Sequence, residues 1–170
     1  KVTAMAKPLT QDGVDLMLGE LSSSVEGMLK DAGFSYSYRR AAVYNPPRER
    51  GGTSSFSMAG DGQPEVTFAE MAAADLANFM APHILRVNNW HFAFAGAFVK
   101  GMQLEGDLQA MIYVTAGEWQ RLDPNITTWV IFSHGEPVVG LSFFDSKPDA
   151  EGGFETDVFP DNEILETMKF

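Results

Sequence analysis

The sequence contains no cysteine. Disulfide bridges, zinc–thiolate sites and thiol nucleophiles are therefore excluded. It also lacks a long hydrophobic run. The most apolar stretch, residues 91–99 (HFAFAGAFV), is about half the roughly 20 residues that a membrane-spanning helix needs, so membrane insertion is not expected. There is no internal repeat, and the opening KVTAMAKPL has no apolar core of the kind a secretory signal carries. Basic residues are scarce: 12 Lys and Arg stand against 23 Asp and Glu, a net charge of −11. The excess of acid grows along the chain and peaks in residues 145–170, with 2 basic and 8 acidic side chains. Such a balance argues against binding nucleic acid through its phosphates.

What is present is a core. Apolar residues make up 45% of the 170 positions and aromatics 12%, with 13 Phe, which suits a single folded domain over residues 1–170. The organising stretch is residues 126–144 (ITTWVIFSHGEPVVGLSFF). Two β-branched and aromatic runs flank Ser133-His134-Gly135-Glu136, a tight-turn composition, and predict a buried β-hairpin. Residues 10–32 carry Val14, Met17, Leu18, Leu21, Val25, Met28 and Leu29 at helical spacing, with Gly33-Phe34 as a left-handed stop. Residues 34–44 alternate as a half-buried strand. Residues 67–81 open with a Thr67/Glu70 capping box and a Val66/Met71 staple, which predicts a second helix ended by Pro82. Residues 84–100 alternate large and small side chains as one strand, in which Gly96 marks a bulge or a close approach. Further strands are expected at 108–115 and 154–159, with connections at 116–125 and 147–149. The sum is an α+β domain: a largely antiparallel sheet of about five or six strands, with two main helices packed on one face. Residues 45–65, rich in Gly, Pro and Ser, read as a long flexible loop, and residues 145–170 as an acidic C-terminal segment. The chain begins with Lys1, so Lys1 to Ala4 reads as an expression remnant ahead of Met5, or alternatively as a processed terminus.

No catalytic constellation emerges. His83, His91 and His134 match no local metal-ligand spacing and read as a helix-end charge, a hydrogen-bonded core residue and a turn residue. No nucleophile elbow accompanies them. The acids Asp149, Glu151, Glu155 and Asp157 lack the order of a calcium loop and read as a solvated edge. The expected catalytic residues, cofactor residues and metal ligands are therefore none. The most site-like stretch runs from Arg48 to Ser55, where two arginines, two glycines and three hydroxyls can wrap an anion or a partner. The candidate interaction residues are Arg48, Arg50, Phe56 and Met58 in this loop, with Glu151, Glu155 and Asp157 in the acidic segment.

Residues 66–80 (VTFAEMAAADLANFM) resemble the opening strand and helix of the GNAT acetyltransferases. Residues 129–144 are similar to that family's second and third strands, with HGEPVVG at the turn and its Val-Gly pair. The resemblance implies an acyltransferase. It would be a degenerate one, because the segment that follows, SKPDAEGGFETDVFPDNE, is acidic and has no glycine-rich pyrophosphate loop. The sequence therefore predicts a non-catalytic protein–protein interaction or structural module (an accessory, inhibitor, adaptor or virion-type component) acting through an acidic surface and a mobile loop. The degenerate acyltransferase and an acidic decoy for a nucleic-acid-binding protein are its alternatives. The expected partner is another protein or a second copy, and the expected state is soluble, intracellular or within a particle.

Overall fold

The computed structural model describes residues 19, 22–46, 53–61, 67–71, 81–106, 108–132, 136–149, 154, 157 and 158. Within them the chain forms one helix, α1 (Ser22–Asp31), and eleven strands. These are β1 (Tyr38–Asn45), β2 (Ser54–Gly60), β3 (Thr67–Met71), β4 (His83–Ile84), β5 (Asn89–Ala95), β6 (Ala97–Gln103), β7 (Gln109–Thr115), β8 (Trp119–Leu122), β9 (Thr127–Phe132), β10 (Val138–Phe144) and β11 (Asp157–Val158). A six-stranded sheet runs β3-β2-β1-β10-β5-β8 and a five-stranded sheet runs β11-β4-β9-β6-β7, every pairing antiparallel. This is a two-sheet β fold. The expected α+β arrangement of one sheet under two helices is overturned.

The corrections have a common physical cause: the chain changes sheets where the sequence reads as continuous. The expected hairpin over residues 126–144 is two strands in different sheets. β9 pairs with β4 and β6, while β10 pairs with β1 and β5. The expected single strand over 84–100 breaks at Gly96, whose φ of 74° lets the chain leave one sheet for the other. A Cβ there would also run into the Pro137 carbonyl, so the close approach expected at this glycine is present. Thr67–Met71 is a strand paired with β2, where the start of a second helix is expected; residues 72–80 lie outside those described. The loop expected over 45–65 contains β2, a strand with a neighbour on each side, in which Phe56 and Met58 alternate with Ser55 and Ser57. The connection at 116–125 contains β8. The first helix holds over Ser22–Asp31 and ends as expected. Gly33 (φ 74°) donates to the Lys30 carbonyl and Phe34 to the Leu29 carbonyl, the paired bonds of a Schellman stop.

Two apolar layers follow. On the outer face of the six-stranded sheet, Val25 and Leu29 of α1 pack on Ala41, Val43, Val139, Leu141 and Phe143. Arg39 fixes this edge, with ion pairs of 2.6 Å to Glu26 of the helix and 2.8 Å to Asp61 after β2. Between the sheets, Tyr44, Phe56, Ala93 and Val138 from one meet Phe98 and Val114 from the other, and Phe132 stacks on Tyr44 at 4.2 Å. No helix among the described residues is long and apolar enough to cross a membrane. On the edge strand β7, Met111, Ile112 and Tyr113 are exposed.

Gly101 lies opposite Trp129 across the β6–β9 pair, and Trp129 is 1% exposed. A Cβ at residue 101 would fall among the indole atoms Cε2, Nε1 and Cζ2, which have no free space to move into. Gly101→Ala is expected to lower stability by about 1–3 kcal/mol. The urea midpoint should fall with an unchanged m-value, and an unshifted midpoint would show that the indole has room.

Candidate functional site

The alternation of each strand sends one set of side chains into the space between the sheets, and in mid-barrel that set turns polar. The register places Arg40 of β1 beside Ser142 of β10, Ser142 beside His91 of β5, and His91 beside Gln120 of β8. One rung thus crosses four strands with a guanidinium, a hydroxyl, an imidazole and an amide. Asn89 lies two residues along β5, and from the opposite sheet come Lys100 of β6 and His83 of β4. All of them line a partly open cavity of about 240 Å³. The cluster of Tyr44, Phe56, Phe98 and Val138 closes it on one side of this polar layer, and Tyr38, Leu85, Phe144 and Phe154 pack on the other.

Gly140 makes room for the imidazole. A Cβ at that position would stand 2.5 Å from Cε1 and Nε2 of His91, so the ring lies directly over the glycine. Nδ1 of His91 is 3.0 Å from Ser142 Oγ, which leaves Nε2 with no protein partner among the described residues. His83 donates from Nδ1 to the Ala81 carbonyl at 3.0 Å, which leaves its Nε2 lone pair bare when the ring is neutral. Burial, then the positive charge of Lys100 and Arg40, pushes His83 down to about 4 and His91 down to about 3, so both rings are neutral at physiological pH.

The cations are the unusual feature. Lys100 is 8% exposed, and burial alone pushes its ammonium down to about 8. Arg40 is held below its ordinary value by burial, its guanidinium 5.1 Å from the Phe144 ring centroid and 5.8 Å from that of Phe154. Neither has a carboxylate partner among the described residues. Beside them, Asn89 Oδ1 and Gln120 Nε2 are buried without a hydrogen-bond partner. Two uncompensated cations and two unsatisfied amide atoms around one cavity are costly in an empty protein and favourable around a ligand that completes them.

The structure brings together few of the residues singled out from sequence. Phe56 and Met58 face inward and line the cavity wall, so they are not surface contacts of a loop. Asp157 lies on β11, paired with Ile84. Arg48, Arg50, Glu151, Glu155 and His134 lie outside the described residues. His91 is the hydrogen-bonded interior residue expected, and His83 stands on strand β4. Arg40, Asn89, Lys100, Gln120 and Ser142 were missed. The signal for Arg40 and Lys100 was a basic residue at an inward position of an apolar, alternating run.

No protein-family model matches the sequence, and no curated protein matches it. Solved structures do match the fold. An acireductone dioxygenase from Bacillus anthracis, described with a cadmium ion in its active centre, aligns with a TM-score of 0.54 and 12% identity over 81% of this chain. The chain spans 66% of that protein's length. An oxalate decarboxylase from Lactobacillus farciminis, in complex with formate, aligns with a TM-score of 0.45 and 14% identity over 82% of this chain and 31% of its own. The fold is that of a cupin-type β-barrel. This overturns the expectation of a non-catalytic interaction module, because the fold is one that an enzyme uses and the protein's inward side chains build a polar cavity within it. The GNAT-like alternative falls with the hairpin that carried part of the resemblance. The acidic decoy falls with it, on the same finding of fold.

A metal in the manner of that dioxygenase does not fit the described residues. No group of three or more His, Asp or Glu side chains able to hold an ion occurs among the described residues. The two imidazoles that line the cavity share it with Arg40 and Lys100, whose charges oppose a dication.

The ionisations set a pH profile. An unfolded chain holds the Lys100 proton up to its ordinary 10.5, while the folded chain releases it near 8. The unfolded state therefore binds more protons between these values, and stability is expected to rise from pH 8 to about 10. Higher still, Tyr36 opposes the gain: burial and then Glu26 push its phenol up to about 12, so the unfolded chain deprotonates first. On the acid side, unfolded imidazoles take up protons that His83 and His91 refuse, so stability should fall as pH drops from 6.5 towards 4. Urea titrations at about pH 5, 7 and 9.5 of the wild type and Lys100→Met check this. Lys100→Met should lack the alkaline gain and exceed the wild type at neutral pH by up to about 3 kcal/mol. Identical alkaline profiles would remove Lys100 from the interior.

Proposed function

We propose that the protein binds a small organic anion, a carboxylate, between its two sheets as an enzyme or binding protein of the cupin-type fold. The single observation that carries this reading is a pair of cations, half-buried Arg40 and buried Lys100, in one cavity with no acidic partner among the described residues. An anion supplies the missing charge. A carboxylate suits the site because the Arg fork offers two parallel N–H donors to its two oxygens. Gln120 Nε2 is a further unused donor. Asn89 Oδ1 accepts a hydroxyl or amine elsewhere on the ligand. The apolar remainder of the wall, from Met58, Phe98, Val130 and Phe132, favours a short hydrocarbon body, and the volume excludes a ligand the size of a dinucleotide.

Calorimetry with short mono- and dicarboxylates, and with inorganic phosphate for comparison, tests the reading. At least one carboxylate should bind saturably and raise the melting temperature. Arg40→Met should weaken it by about tenfold or more, the value of a charge-assisted hydrogen bond. Absence of saturable binding by any carboxylate, preference for phosphate, or an affinity indifferent to Arg40→Met would overturn it.

A proposal of self-association is supported by the apolar residues exposed on the edge strand β7. Light scattering checks it: a dimer in the wild type that Met111→Lys dissociates is the expected result, and a monomer at all concentrations opposes it.

A further inference from the structure

We propose that Lys100 is a nucleophile that forms an imine with the carbonyl carbon of an oxo acid whose carboxylate lies on Arg40. The inference rests on the anion reading above and narrows it to a substrate class.

Placement comes first. Lys100 stands on β6 in the five-stranded sheet and Arg40 on β1 in the six-stranded one. Facing sheets pack about 10 Å apart, so two long side chains from opposite walls reach the same small volume. Both line the same cavity as His83 and His91. An acid with its carbonyl next to its carboxylate would bridge them, the carboxylate on the guanidinium and the carbonyl carbon on Nζ.

The state of the amine comes second. A surface lysine carries its proton, and its lone pair is closed to reaction. Lys100 is nine-tenths buried and unpaired, and burial brings its proton loss close to neutral pH, where a useful fraction is free amine. For anchoring alone a second arginine would serve better, since it stays charged when buried. A lysine is the choice that keeps a lone pair within reach.

The third requirement is a proton route. The Nζ lone pair attacks the carbonyl carbon, a C–N bond forms, and the C=O π pair moves to oxygen. Nε2 of neutral His91, unpaired among the described residues, takes a proton from nitrogen and returns it to that oxygen, giving the carbinolamine. The nitrogen lone pair then expels the hydroxyl, which leaves as water with the remaining nitrogen proton. The product is the neutral imine, and no oxidant or reductant is consumed. Gln120 Nε2 is placed as the donor that polarises the carbonyl.

Reductive trapping tests this on the full chain. The protein is mixed with pyruvate and cyanoborohydride, then weighed intact and mapped by peptide. One carboxyethyl increment on Lys100 is expected, with Lys1, Lys7, Lys30, Lys147 and Lys169 at background. Lys100→Arg keeps a positive charge without imine chemistry and should trap nothing at this position. Arg40→Met should lower trapping by about tenfold or more. Increments spread over the other lysines, with Lys100 unmodified while lactate and pyruvate bind saturably, would overturn the imine and leave the anion reading standing. If neither acid binds and nothing is trapped, the imine is overturned, and the anion reading falls with it only if no other carboxylate binds.

Discussion

A strand buried on both faces has to be covered twice, and the rest of the barrel follows from how β10 meets that demand. All seven of its residues are buried. Val139, Leu141 and Phe143 turn outward to α1, where Leu29 and Val25 complete a conventional core. Val138, Gly140, Ser142 and Phe144 turn inward, and here the second sheet is the cover. The inward set is large at both ends and small in the middle. Val138 and Phe144 join the two apolar clusters, whereas Gly140 and Ser142 leave a hollow that the His91 ring enters. Had β10 carried a large residue at 140, the imidazole would be displaced and the rung from Arg40 to Gln120 would be broken.

The hollow is filled with charge of the sign that the chain as a whole lacks. A net charge of −11 repels anions at long range, so the site gains nothing from steering. What it has is proximity without solvent: Arg40 and Lys100 act through a poorly polarisable interior, where a charge is felt far more strongly than across water. The same desolvation explains the neutral histidines, the lowered lysine and the expected alkaline gain in stability. Such an arrangement is poor for stability and suited to a site, because a protein selected only to fold would fill these positions with Met or Leu.

The legible part of the sequence was local. Gly33 and Phe34 announced the helix stop, Gly96 a close approach, and the alternations in 84–100 and 108–115 their strands, because each depends on neighbours within a few residues. The illegible part was which sheet a strand joins. β9 and β10 look like a hairpin because both are apolar on both faces, yet that double burial is also what a strand between two layers requires. Thr67 and Glu70 satisfy a capping box on paper, but pairing with β2 outweighs a local preference worth only a few tenths to about 2 kcal/mol. Phe56 and Met58 were hidden among glycines and serines whose small size suits a strand packed between neighbours. The site was illegible for the same reason: Arg40, His91, Lys100 and Gln120 lie on four strands, β1, β5, β6 and β8, and meet only through the register.

Likeness of fold to a protein described with a metal in its active centre invites a metal here, and the side chains answer differently. An ion site needs ligands that converge and a surrounding field that tolerates positive charge. The described interior offers two imidazoles, one with Nδ1 spent on Ala81 and the other with Nδ1 on Ser142, and it surrounds them with a lysine and an arginine. Two fixed monocations in place of a dication keep the positive potential on which the proposed anion binding rests. They give up a Lewis acid and gain an amine, and an amine beside a bound carbonyl acts by covalent addition where a metal would act by polarisation. The proposed site therefore turns on the residues at 40 and 100.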